Sequence, residues 1–479
     1  MPRSISLLLS KTGGPPHHGS VGYVNDAIGP LLERQGWDVR SFQPPQRGRN
    51  EEAMLPFGLA AALAREHGAG IADVALYDAT GATVRTLDRQ WARKQVVLYH
   101  GLAYGTGAWM TNPGIDLHCA NSPYLARVLR SLFAFPDWRN RRCLNPAAID
   151  RIVDVSLPVP CVDSPDGSPG LSHGSDIPPV LQRQFGGDLI LAHAVQHDKQ
   201  DWIATLSIMF WLNELAKTHR TPRVKLLVSE FSLGPEQRNA FDSMLAGSGS
   251  RCDDLFIPVP HLDQRALFRA MRACRFGLAY NTFPEPFGFY VLESVHNGTP
   301  VYTNGAGNNR FLLPPGHGIV VQETAEMAGT FENPPAPAAY RSVAERIHAD
   351  LARPDALRED CHRGAALIDR TWSLAAFGRS LADALDLLDR PAPAVPLFDE
   401  MEIALSPLVR SFDPVSGRIL DDYASGQLDP DAVGLVGRLL GRRCADLDGA
   451  EMARIEETHG LFRRGILTLL PKAEKDSRA

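Results

Sequence analysis

Pro284-Glu285-Pro286-Phe287-Gly288-Phe289-Tyr290-Val291-Leu292-Glu293-Ser294 follows a short apolar run, residues 275–280 (RFGLAY), that reads as a buried strand. Residues 289–296 read as the first turns of a helix. Glu285 is therefore expected on a strand-to-helix loop, at the edge where open α/β sheets take their ligands. Gly288 lets backbone approach backbone or ligand closely, and the helix start offers unpaired N–H groups to an anion. Glu293 falls in the opening turns of that helix. A carboxylate beside a phosphate-binding helix end commonly grips the two hydroxyls of a ribose. Two acids eight positions apart thus flank a phosphate-sized gap of backbone donors.

Outward from this stretch the strand-then-helix rhythm repeats. Downstream, residues 300–303 read as a strand ending in Asn304-Gly305-Ala306-Gly307-Asn308-Asn309-Arg310. Upstream, residues 188–194, 224–228 and 255–259 read as strands, each followed by a helical pattern. The first ends in His193-Ala194 and runs into Gln196-His197-Asp198-Lys199-Gln200-Asp201-Trp202. A further βα series occupies the N-terminal part, with strands expected at 4–9, 37–42, 72–77, 95–99, 115–120 and 152–155. Its first strand leads into Gly13-Gly14 and a helix with Val21, Val24, Ala27, Ile28, Leu31 and Leu32 on one face, in which Gly29-Pro30 is expected to introduce a kink. The Gly13-Gly14 segment is either a plain tight turn or a cradle for phosphate or sugar. No Gly-Lys-Ser/Thr follows it, so it is not a nucleotide-hydrolysing P-loop. His100 stands at the end of the 95–99 strand, where it either packs or faces a ligand.

The Glu-x7-Glu pattern, EPFGFYVLE here, resembles the signature of the retaining GT-B glycosyltransferases of the family 4 type. The resemblance spans roughly residues 4–390 and is specific only around 275–313. It implies that Glu285 touches the hydroxyls of the donor sugar, that Phe287 and Gly288 offer backbone N–H groups, and that Glu293 binds the ribose. It implies that Gly13 and Gly14 lie near the acceptor and the donor phosphates, that His100 faces the sugar, and that Gly305 belongs to a Gly-rich loop facing sugar or phosphate. Lys199 matches the lysine that holds the donor diphosphate. The arginine that accompanies it in the family is absent, and His193 stands in that region. Either His193 supplies the missing cation or it is a strand-end packing residue. Arg310 is either a further cation or a surface arginine. A diphosphate needs at least one cation nearby.

The resulting expectation is an α/β protein of two Rossmann-like domains facing a cleft, the GT-B fold. Residues 1–176 are the acceptor domain and 177–390 the nucleotide-sugar domain with a crossover helix. Residues 391–479 are expected as a helical extension, with helical runs at 432–440 and 452–470 and a possible oligomer contact. The Ser-, Pro-, Gly- and Asp-rich run 163–179 reads as the linker. The expected reaction is metal-independent transfer of a glycosyl group from a UDP or GDP sugar to a small-molecule acceptor, with retention. The alternatives are a phosphorylase or sugar-nucleotide epimerase of the same fold, or a catalytically weak nucleotide-sugar-binding subunit. A glycosidase is excluded because one of its two acids would lie where the ribose belongs.

Composition agrees. The 479 residues call for two or three domains, and 44% apolar with 22% charged residues is ordinary for a globular chain. A net charge of −6 gives no basic footprint for nucleic acid. No apolar run approaches the length of a membrane span. The opening MPRSISLLLSKTGG reads as a first strand rather than a signal peptide, its apolar run being too short. The seven cysteines are scattered, with no CxxC pair or zinc spacing, so reduced thiols in a cytoplasm are expected.

Overall fold

The computed structural model describes residues 3–9, 20–42, 53–54, 71–79, 82–83, 92–102, 106–162, 190–194, 199–229, 235–246, 251–259, 262, 264–323, 336–391, 393–423 and 425–471. Gly13, Gly14 and the expected linker lie outside them. The chain groups into two compact units. One comprises Met1–Pro158, Leu374–Asp422 and Gly426–Ala479, the other Val159–Ser373 with Tyr423–Ser425.

The first unit is built on strands β1 (Ser4–Leu8), β2 (Asp38–Phe42), β3 (Ala72–Asp78), β4 (Ala92–Tyr99), β5 (Leu117–Ala120) and β6 (Ile152–Asp154). All pair in parallel, in the order β6-β5-β4-β3-β1-β2. Near-continuous apolar runs such as LYD-preceding ADVA in β3 and VVLY in β4 suit a sheet covered on both faces. Helix α1 (Ser20–Arg34) runs on through Pro30. Helix α2 (Pro123–Phe133) starts at Ser122, whose hydroxyl accepts from the Leu125 N–H at 3.1 Å.

The second unit carries β7 (Ile190–Ala194), helix α3 (Trp202–His219), β8 (Val224–Ser229), helix α4 (Pro235–Leu245), β9 (Phe256–Val259), helix α5 (Gln264–Ala273), β10 (Phe276–Ala279), helix α6 (Phe289–His296), β11 (Val301–Thr303) and β12 (Ile319–Val321). The strands again pair in parallel, in the order β9-β8-β7-β10-β11-β12. Counted from β7 this is 3-2-1-4-5-6, the doubly wound Rossmann order, with its topological switch between β7 and β10. The first sheet reads 2-1-3-4-5-6, with its switch between β1 and β3. Helices α7 (Arg341–Leu351) and α8 (Pro354–Thr371) complete the second unit.

Helix α9 (Leu374–Asp386) packs on α1 of the first unit. The Gln35 side chain donates to the Gly378 carbonyl at 2.8 Å, and a Cβ at 378 would stand 3.1 Å from Leu31. The chain beyond it shares that unit's core: Phe398, Met401, Ile403, Leu435, Val436, Leu461, Phe462, Leu467 and Leu469 join Leu125, Leu129 and Phe133 in one buried cluster. Trp138 is wedged edge-on against Phe398 and Phe462. The tail does contain an expected helix, α10 (Pro430–Leu439), capped by Asp429. It also contains five short strands: β13 (Glu402–Leu405), β14 (Val409–Phe412), β15 (Arg418–Asp421), β16 (Ser425–Gln427) and β17 (Leu467–Leu470). The helix expected over 452–470 is corrected. Helical turns stop at Thr458, because Gly460 and Gly465 take φ of 57° and 66°. The apolar residues after Gly465 then pair antiparallel with β13.

Because Leu469 is fully buried in this shared core, Leu469→Ala should cost about 2–5 kcal/mol, while Val415→Ser, 94% exposed, should stay within about 0.5 kcal/mol. Denaturant midpoints of the two variants measure both; equal midpoints would mean the tail is not part of the core.

Candidate active site

The loop after β10 and the loop after β7 meet at the switch point of the second sheet. Gln200 bridges Asn281, the Asp201 N–H donates to the Tyr280 carbonyl at 2.6 Å, and the Thr282 N–H to the Lys199 carbonyl at 3.1 Å. These backbone bonds bring Lys199 to Glu285. Its Nζ donates to Oε2 at 3.0 Å, with the two side chains 29% and 13% exposed. Two residues expected to hold different parts of a donor thus form an ion pair with each other.

A third loop, after β11, fixes the position of Glu285. Glu285 and Gly307 form a parallel bridge: the Glu285 N–H donates to the Ala306 carbonyl at 3.4 Å and the Asn308 N–H to the Glu285 carbonyl at 2.7 Å. Gly307 has φ 65°, and a Cβ there would lie 2.4 Å from both the nitrogen and the oxygen of Glu285. Only glycine fits. The Asn304 side chain pairs with the backbone of Asn281, donating to its carbonyl at 2.9 Å and accepting from its N–H at 3.3 Å. Asn308 donates its amide to the Phe287 carbonyl at 2.7 Å.

Gly288 is the N-cap of α6, with φ 109°, and as a glycine it has no side chain with which to cap that helix start. A Cβ at 288 would meet Leu312 at 2.6 Å and Asn309 Oδ1 at 3.0 Å. The Phe287 N–H donates to Glu285 Oε1 at 3.5 Å, and its ring is buried against Phe289. Gly277 in β10 is required for another reason: Tyr290 lies across the strand, and a Cβ there would stand 2.5 Å from its hydroxyl. Glu293 follows one turn into α6. Burial pushes its carboxyl up to about 8, and its charge helps push the buried Cys161 thiol up as well.

Other expected residues fare differently. Arg310 donates from Nη1 to the carbonyls of Gly305 and Gly307, both at 3.1 Å, and lies over the Phe311 ring. It holds the Gly-rich loop together. Gly305 has φ 72°. His193 sits in β7 in register with Leu227 and Gly277; the structure describes it through its backbone. In the first unit, His100 follows β4 as expected, and its Nε2 lies 3.2 Å from Asn25 Oδ1 and 3.8 Å from Asp78 Oδ1.

Sequence reading missed Asn304, Asn308, Asn25 and Asp78. The first two stand inside the Gly-rich stretch, where asparagines look like ordinary turn residues. Asn25 had a signal, a polar residue flanked by Val24 and Ile28 on an apolar helix face. Asp78 likewise ends an apolar strand as a charge that burial would make costly without a partner.

No family model matches the chain, and no curated protein matches it by sequence. Solved structures do match. A glycosyltransferase from Rickettsia africae ESF-5 superposes with a TM-score of 0.55 at 13% identity, covering 81% of this chain and 100% of the other. Sucrose-phosphate synthase from Thermosynechococcus elongatus gives 0.53 at 16% identity, covering 81% and 99%. WaaG, a glycosyltransferase involved in lipopolysaccharide biosynthesis, gives 0.52 at 11%, covering 79% and 98%. The fold is GT-B. Among the described residues, no helix of this GT-B chain is long and apolar enough to cross a membrane.

The raised Glu293 carboxyl makes a prediction about stability. Between about pH 4.5 and 8 the folded state holds a proton that the unfolded state has released, so stability should fall as pH rises through this window. Glu293→Gln has no such proton and should show a flatter profile. Urea midpoints from pH 5 to 8.5 test this; parallel profiles for both proteins would place the carboxyl in an ordinary, hydrated setting.

Proposed function

We propose that the chain transfers a glycosyl group from a nucleoside diphosphate sugar to an acceptor. One observation carries this reading: Glu285 and Lys199 pair at the switch point of a Rossmann-ordered sheet, beside a helix start whose N-cap is a glycine, with Glu293 one turn further on. That edge suits a nucleotide, and the uncapped N–H groups suit its phosphates. On this reading Glu285 accepts hydrogen bonds from sugar hydroxyls and the Phe287 and Gly288 backbone faces the donor. Glu293 takes the ribose hydroxyls. Lys199, with His193 in the place of the missing arginine, neutralises the diphosphate as the glycosidic bond breaks. The Gly305 loop, held by Arg310, lies beside the donor, and His100 is kept as a sugar-facing residue on the resemblance alone. Retention of configuration, independence of metal and a UDP or GDP donor rest on the resemblance of the Glu-x7-Glu segment.

A second reading, a nucleotide-sugar-binding subunit with little turnover, is favoured by the engagement of Lys199 with Glu285 and of Arg310 with its own loop. Both readings predict stabilisation by one of UDP, GDP, ADP and TDP in a thermal-shift panel. Only the first predicts release of free nucleoside diphosphate that requires an acceptor.

Two substitutions separate the roles. Glu293→Ala should weaken binding of the free nucleotide by about 1.5–3 kcal/mol, the scale of hydrogen bonds to a charged group. Glu285→Gln should lower turnover and leave nucleotide affinity nearly intact. Calorimetry alongside turnover measures both, and equal losses of nucleotide affinity in the two variants would mean that the loop had simply been broken.

A further inference from the structure

The first sheet carries a polar cluster at its own ligand edge. Asn25 lies on α1, Asp78 ends β3 beside the switch point, and His100 directly follows β4. Asn25 and Asp78 are buried, the Asp78 side chain fully; His100 is half-buried as a residue, with its side chain only 5% exposed. Asn25 Nδ2 donates to Asp78 Oδ2 at 2.8 Å. His100 Nε2 lies 3.2 Å from Asn25 Oδ1 and 3.8 Å from Asp78 Oδ1. The Asn121 amide donates to the His100 carbonyl at 2.8 Å, which holds the same residue by its backbone.

The chemistry of these groups fixes the direction of every bond. A carboxylate only accepts, so the Asn25 amide must turn its NH2 group to Asp78. Its oxygen then faces the ring, and that oxygen also only accepts. The ring proton must therefore sit on Nε2, with Nδ1 as the acceptor nitrogen of the neutral ring. The opposite form would set two lone pairs against each other next to a carboxylate, in a buried place where such a mismatch is costly. A buried polar network adds little stability over an apolar packing of the same volume; what it can supply is orientation.

We propose that Asn25 and Asp78 are positioning residues that hold the His100 ring in its Nε2–H form and in one orientation. That the oriented ring then meets a sugar hydroxyl rests on the transferase reading above; the form of the ring does not.

The test is a long-range 15N–1H NMR spectrum of the full chain with labelled histidine, recorded at alkaline pH so that the ring is neutral. The His100 signal is assigned by its loss in His100→Gln. The wild type should show one form, protonated at Nε2. Asp78→Asn should show a mixture of both forms and lose about tenfold or more in kcat, while donor KM and nucleotide affinity stay within about twofold. A wild-type ring protonated at Nδ1 would overturn the proposal. So would an Asp78→Asn protein with the same ring form and the same kcat. Should Asp78→Asn not fold, the wild-type spectrum alone still decides the ring form. If no acceptor supports turnover, the transferase reading fails, and the two spectra judge the positioning claim separately.

Discussion

The bridge between Glu285 and Gly307 is the constraint on which the second unit's site depends. Two backbone hydrogen bonds, each worth about 1 kcal/mol net, do not by themselves explain it. The geometry does. The backbones approach so closely that a single methyl group at 307 would collide with atoms that cannot move aside. This close approach aims the Glu285 carboxylate back toward Lys199 and the Phe287 N–H, and brings the β11 loop under the start of α6. Asn304 and Asn308 then secure the neighbouring loops by their side chains. Three strand-end loops thus behave as one platform beneath the start of α6.

What could be read from the sequence follows the range of the interaction. RFGLAY and the helix after Gly288 announce themselves locally, by apolar runs and a glycine, and so does the rhythm of strands and helices in both halves. Strand order is not local. That β7 lies between β8 and β10 depends on chain crossings, so the meeting of Lys199 and Glu285, 86 positions apart, was not legible. The hydrogen bonds of Arg310 are hidden in the sequence for a related reason. Its partners are carbonyls of its own loop, available only once Gly305 and Gly307 adopt positive φ. In the tail, the run from Met452 to Leu470 has an apolar pattern that fits a helix until two glycines turn the chain. The strand that follows is stabilised by β13, some 65 positions earlier.

The two switch points are built to different standards of exposure. In the first unit, Asn25, Asp78 and His100 are closed in and mutually bonded, an arrangement suited to holding one orientation. In the second, Lys199 and Glu285 are partly exposed, and an ion pair in that setting contributes only about 0–1 kcal/mol. Such a pair is cheap to break. A lysine facing one phosphate charge at about 4 Å gains roughly 4 kcal/mol at an effective dielectric of 20, before desolvation is counted. By the same formula the Lys199–Glu285 pair at 3.0 Å gains roughly 5.5 kcal/mol, so on the transferase reading it takes the two or more charges of a diphosphate to draw Lys199 away and release that carboxylate for hydroxyl groups.

Glu293 completes this electrostatic argument. Two glutamates, Glu285 and Glu293, lie with Lys199 and Arg310 around the loops of the second unit's candidate site. Were both acids charged, Glu293 would add a negative charge beside a helix start that, on the transferase reading, receives a diphosphate. Burial keeps the Glu293 carboxyl protonated at neutral pH, with its midpoint near 8. On the transferase reading, ribose hydroxyls donating to Glu293 would favour its charged form and draw its midpoint back down. On that reading the same α6 that offers N–H groups to phosphate carries, one turn on, an acid whose charge the bound ligand promotes.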